Sequence, residues 1–270
     1  MPERKALSID EARRIFERMA EVAASKDVIL IGGQAVALWA AQLSGSASEL
    51  DTEAVSSADV DFQGSKASLV RAAELLGGKA QFPSLDHVAS PMIGKAVFLD
   101  SDSVKRELDF LPNPRGLDAD DVAKSAIPLD ITGSGEASFR VWVMHPQRCL
   151  ESRVANSDLP NKDTALAWRQ LRASIICARA FSKALLDEAE PQDEAEVTRA
   201  RRTVLNLNQR IYRFALNDQR ARRIAADRGI EVFDAVLRDE RLGDQFLSRG
   251  YPQMAVAIDK RRKRDAKASE

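Results

Sequence analysis

Cysteine and histidine are nearly absent: 270 residues hold two of each, Cys149 and Cys177, His87 and His145. Two cysteines in apolar helical surroundings, far from any metal-ligand spacing, exclude a disulfide framework and a zinc-type site. They read as reduced core thiols of a cytoplasmic protein. Neither histidine has a serine or cysteine nucleophile at a recognisable spacing, so nucleophile–histidine catalysis has no foothold. His145, directly before Pro146, reads instead as a hydrogen bonder at a strand end. Long apolar runs are lacking as well. No stretch approaches the roughly 20 residues that a membrane-spanning helix needs. The opening Met1-Pro2-Glu3-Arg4-Lys5 leads into a polar amphipathic helix and not into an apolar signal region. No internal repeat is present.

Charge of one sign is also missing overall, with 40 Lys and Arg against 41 Asp and Glu. The balance hides an asymmetry. Residues 1–144 hold 15 basic and 22 acidic side chains, whereas residues 145–270 hold 25 and 19. A basic half of that kind either faces a polyanion or carries solvated helix faces. The apolar pattern changes near the same place, at His145-Pro146. Before it, short alternating runs mix with helices; after it, apolar residues recur almost throughout at helical spacing.

Ser8 with Glu11 three residues on is a capping-box pattern, and Ile9, Ala12, Ile15, Phe16, Met19 and Val22 supply one apolar stripe to about Ala24. Ser65 or Ser68 opens another helix, which Gly77-Gly78 ends. Residues 95–99 and 107–111 read as a hairpin around Asp100-Ser101-Asp102-Ser103, 118–126 as a short helix, and 128–131 and 139–144 as two further strands around Gly133-Ser134-Gly135. The expected fold is α+β: a small mixed sheet of about five strands with helices over residues 1–144, then an all-helical region over 145–270. Within that region, Asn161-Lys162-Asp163 opens a long helix and an acidic connector spans 187–194. Helices over about 195–216 and 219–238 and a short one near Asp244 lead to a basic tail, Lys260-Arg261-Arg262-Lys263-Arg264. Trp39, Trp142 and Trp168 sit in apolar patterns that predict core packing.

The stretch that carries chemistry runs from Val28 to Phe62. The run Val28-Ile29-Leu30-Ile31 stops at Gly32-Gly33, becomes helical from Gln34 through Trp39, and after a polar loop reaches Asp59-Val60-Asp61-Phe62. Glycines at the end of a buried strand allow a sharp turn and close approach to a bound group, and the helix that follows directs its N–H groups toward a phosphate. Asp59 and Asp61, two residues apart on a strand, share one face, where a hard cation such as Mg²⁺ would relieve their repulsion. A third acid stands in the alternating run 104–111, with Asp109 the first choice and Glu107 the alternative.

Gly32-Gly33 before a helix, then Asp59-x-Asp61, then a single acid at Asp109, resembles the polymerase-β-like nucleotidyltransferases, and among them the bacterial AbiEii-type group, some of whose members are toxins of toxin–antitoxin pairs. The resemblance implies a two-metal Mg²⁺ site at Asp59, Asp61 and Asp109, with Asp109 also helping to deprotonate the attacking hydroxyl. It implies phosphate contacts from Gly32, Gly33, Gln34 and Lys162, and a nucleoside triphosphate as substrate. It further implies transfer of a nucleoside monophosphate to a hydroxyl of tRNA or protein, and an antitoxin as a possible partner. The chain departs from the family in having Val55 where an Arg is common, and in the length of the loop 41–58.

Overall fold

The computed structural model describes residues 7–45, 47, 49–50, 55–57, 59–84, 92–133, 138–159 and 164–269. Two compact units divide the chain: Met1–Gln42 with Asp51–Arg153, and Leu43–Leu50 with Val154–Glu270.

The first unit opens with α1 (Ile9–Arg18), and its capping box is formed on both sides: Ser8 N–H donates to Glu11 Oε2 at 2.7 Å and Glu11 N–H to Ser8 Oγ at 3.1 Å. The single helix expected to Ala24 is broken. Met19 adopts φ −108°, ψ 25°, and a short α2 (Ala20–Ala23) follows. The break keeps Met19, Val22 and Ala23 all buried, with α2 turned against the sheet.

Among the described residues the strands form one seven-stranded sheet: β1 (Ile29–Ile31), β2 (Val60–Gln63), β3 (Lys79–Gln81), β4 (Gly94–Leu99), β5 (Lys105–Leu111), β6 (Ile127–Thr132) and β7 (Ser138–Val143), in the order β3-β4-β5-β2-β1-β7-β6. The sheet is mixed. β1 runs parallel to β7 and β2 parallel to β5, while the other neighbours are antiparallel. The expectation of about five strands was low, chiefly because β3 is a three-residue, largely exposed edge strand with no apolar alternation to announce it. β1 is buried at all three residues, as a central strand covered on both faces should be. On β2 and β5 alternate residues Val60, Phe62, Leu108 and Phe110 are wholly buried, and Phe62 joins a ring cluster with Phe16 at 6.0 Å and Phe110 at 5.5 Å. Each ring that leaves water contributes about 2–3 kcal/mol.

Helices α3 (Gly32–Leu43), α4 (Lys66–Leu75), α5 (Ala119–Ser125) and α6 (Pro146–Asn156) complete this part of the chain. Ser65 is the N-cap of α4 and Ser68 its third residue, each bonding the other's backbone. Trp39 is buried and donates to the Met144 carbonyl at 2.8 Å. Trp142 is not a core residue as expected: it is half-buried, with Lys26 Nζ 5.2 Å from its ring centre.

The second unit is helical. α7 (Ala165–Asp187) is capped by Thr164, which corrects the expected start at Asn161; residues 160–163 lie outside those described. α8 (Glu194–Asn217) follows, capped by Asp193. α9 (Gln219–Arg228) stops ten residues earlier than predicted, because Gly229 takes the left-handed conformation (φ 58°) that closes a helix C-terminus. The chain then runs through 3₁₀ turns at Val232–Ala235 and Glu240–Leu242. Asn208, fully buried on α8, holds this stretch by exchanging two 2.9 Å hydrogen bonds with Leu237. A π segment (Phe246–Gly250) leads into α10 (Tyr251–Ser269), so the basic run 260–264 lies on a helix. Trp168 is half-buried under the Arg228 guanidinium at 4.9 Å. Cys149 and Cys177 are buried free thiols, and burial pushes Cys177 up to about 12. Among the described residues no helix is long and apolar enough to cross a membrane.

Candidate functional site

One register row crosses four neighbouring strands. Ile31 on β1 lies opposite Asp61 on β2, Asp61 opposite Asp109 on β5, and Asp109 opposite Lys95 on β4. Residues in one row of a sheet share a face. Asp61, Asp109 and Lys95 therefore stand side by side on strands spaced about 4.8 Å apart. Asp59, two residues before Asp61, is half-buried like it, while Val60 between them is fully buried.

Gly32 explains why the strand must end where it does. Its φ is 73°, and a β-carbon there would come 2.1 Å from Asp61 Oδ2. The position excludes side chains both by backbone conformation and by the carboxylate packed against it. Gly33 is buried in the same first turn of α3. Gln34 is 1% exposed and donates Nε2 to the Ser57 carbonyl at 2.6 Å, and Ser57 Oγ accepts from Asp59 N–H at 3.3 Å. Gln34 thus fixes the loop that delivers Asp59, a positioning task.

Lys95 was not anticipated. Its ammonium lies 3.0 Å from Glu107 Oε2 and 3.4 Å from Asp109 Oδ1, so it bridges both acids of the alternating run. Burial works against its charge, but the hydrogen bond it donates to Glu107 and the charges of the two carboxylates outweigh it and hold Lys95 above the ordinary lysine value. Asp109 moves the other way from a usual paired acid. Burial raises its carboxyl, Lys95 pulls it back, and the charges of Asp59 and Glu107 push it up again, with a net upward shift. Its buried Oδ1 accepts no hydrogen bond.

Arg153 on α6 is the second residue missed. Burial holds its guanidinium below the usual arginine value, and the Asp61 carboxylate is the main charge acting in the opposite sense. A cation set against Asp61 on a helix more than ninety positions away leaves no local sequence trace. Lys95 did leave one: a hairpin centred on Asp102 puts it opposite Asp109. Lys162 and His87 lie outside the described residues. His145 Nδ1 accepts the Gln147 N–H at 3.1 Å, the role read from its place before Pro146.

Among the described residues no three His, Cys, Asp or Glu side chains converge as a metal-holding group. A cleft of about 260 Å³ lined by Leu7, Glu11, Arg14, Arg18 and Asp100 contains none of the three aspartates. No protein-family model matches the chain, and neither a curated protein nor a solved structure matches it.

Proposed function

We propose that this chain is a Mg²⁺-dependent nucleotidyltransferase that moves a nucleoside monophosphate from a nucleoside triphosphate to a hydroxyl group. The observation that carries this reading is the register pairing of Asp61 with Asp109 on parallel strands, with the glycine start of α3 packed on the Asp61 carboxylate. The donor chemistry suits a hard divalent ion. Asp59 and Asp61 offer carboxylate oxygens only, and Mg²⁺ commonly takes one or two carboxylates and completes its shell with phosphates and water. Bound there by Asp59 and Asp61, Mg²⁺ would neutralise charge on the triphosphate.

The protein groups divide the remaining work. The N–H groups at the start of α3, with Gly32 and Gly33, receive phosphate oxygens, and Arg153 adds positive charge beside Asp61. The acceptor oxygen bonds to the α-phosphorus, the bond from that phosphorus to the β-bridging oxygen breaks, and pyrophosphate leaves. The hydroxyl proton passes to Asp109, whose upward-shifted carboxyl is a better proton acceptor than an ordinary aspartate. The acceptor class proposed is tRNA or a protein hydroxyl in the cytoplasm, with an antitoxin as a regulating partner. Val55, in place of the family's Arg, favours the second reading, an inactive nucleotide- or RNA-binding protein of the same fold.

The deciding experiment incubates the protein with Mg²⁺, each α-³²P-labelled ribonucleoside triphosphate, and total tRNA with cell lysate. Label is expected on a macromolecule with wild type and to fall at least a hundredfold with Asp59→Asn. Transfer that survives Asp59→Asn sinks the assignment. Mg²⁺-dependent triphosphate binding without any transfer shifts it to the binding-protein reading.

A further inference from the structure

We infer that Lys95 is a built-in cation standing where a second metal ion would otherwise neutralise Asp109, so that the site takes one divalent ion, at Asp59 and Asp61. The inference rests on the proposed function for the existence of a metal site, and departs from the two-ion expectation drawn from the resemblance.

Three observations support it. First, the hairpin register sets Lys95 directly across from Asp109, and its ammonium reaches both Asp109 and Glu107, at 3.4 and 3.0 Å. Both acids considered for completing a metal site are thus already served by one cation. Second, a divalent ion on Asp109 would share that carboxylate with an ammonium group, and like charges so close repel strongly where water is scarce. Third, among the described residues the acids do not gather into a group of three, whereas a pair suffices for one Mg²⁺ whose other ligands are phosphates and water.

The arrangement also suits Asp109 to its proposed role. Lys95 hydrogen-bonds to Glu107 and forms an ion pair with Asp109 Oδ1 at 3.4 Å. Asp109 is steadied by the Lys95 charge without a second metal ion. Lys95 is therefore a positioning residue.

The test counts ions directly. Mn²⁺ is titrated into the full-length protein without nucleotide, and bound metal is measured from the loss of the free-ion EPR signal. Wild type and Lys95→Arg, which keeps the charge, should each bind one Mn²⁺ per chain. Lys95→Met, which keeps the stem and removes the charge, should bind two, and adding Asp109→Asn to it should restore one. Thermal unfolding gives an independent readout: Mn²⁺ should raise the melting temperature of Lys95→Met more than that of wild type. Two ions on wild type, or one on both wild type and Lys95→Met, overturns the inference and leaves the proposed function standing. No Mn²⁺ on any variant overturns both.

Discussion

A single atom decides the turn that organises the site. At Gly32 a methyl group would meet the Asp61 carboxylate at 2.1 Å while the backbone sits at φ 73°. The left-handed conformation alone costs an L-residue about 1–2 kcal/mol, and the clash adds to it. Gly32→Ala should therefore destabilise the protein by about 3 kcal/mol or more in urea unfolding. Part of that loss belongs to Asp61, so Gly32→Ala made in an Asp61→Gly background should cost measurably less, a coupling that a double-mutant cycle reads out. Equal losses in both backgrounds would mean that the contact is not what makes the glycine necessary. Gly32, Asp61 and Asp109 were all legible in the sequence, since a strand-ending glycine and alternating acids leave local patterns. Arg153 and the Gln34–Ser57 bond were not, because they join residues whose proximity only the fold creates.

Between elements, the β4–β5 hairpin is tied to α1 by one buried arginine. Arg106 is 7% exposed and pairs with Asp100 at 2.7 Å and with Glu11 at 3.1 Å. Burial works to raise the Asp100 carboxyl, but Arg106 and the N–H groups of Val104 and Asp102 outweigh it and hold it below its ordinary 3.8. A carboxyl lowered by folding contributes stability above pH 3.8, and that contribution is lost as the pH falls through the folded-state value. Arg106→Met strands two carboxylates with little access to water, and should cost about 3–5 kcal/mol at pH 7. The deficit should shrink below pH 4 as Asp100 takes up its proton, measurable by denaturant unfolding across pH; a deficit independent of pH would contradict the ion-pair account. The hairpin itself followed from alternation and its turn residues. What alternation could not supply was the polar edge strand β3, or the break at Met19, which follows from packing against the sheet and not from propensity.

At the scale of the whole molecule, the change in composition at His145-Pro146 marks the onset of continuous helix, yet the compact units meet at Arg153 and Val154 and the second also claims Leu43–Leu50. No sequence pattern announces that eight-residue contribution. Within its unit Glu49 pairs with Arg179, and Leu43 is 5% exposed. Leu43→Ala should cost about 2–4 kcal/mol. The loss should appear in the fluorescence of Trp168 when Trp39 and Trp142 are replaced by Phe, since Trp168 is the tryptophan of the second unit. A transition of Trp168 unchanged by Leu43→Ala would show that the short segment carries no weight there. Several arginines of the helical half are engaged in ion pairs within it, among them Arg222 with Asp265 and Arg241 with Asp187 and Asp239. The interrupted path of the chain has a consequence during synthesis. At roughly 5–20 residues per second, Leu43–Leu50 leaves the ribosome several seconds before Val154, the first residue of the remainder of its unit. For that interval the segment lacks the rest of its unit, so the helical unit is completed last, around a piece of chain that has been waiting for it.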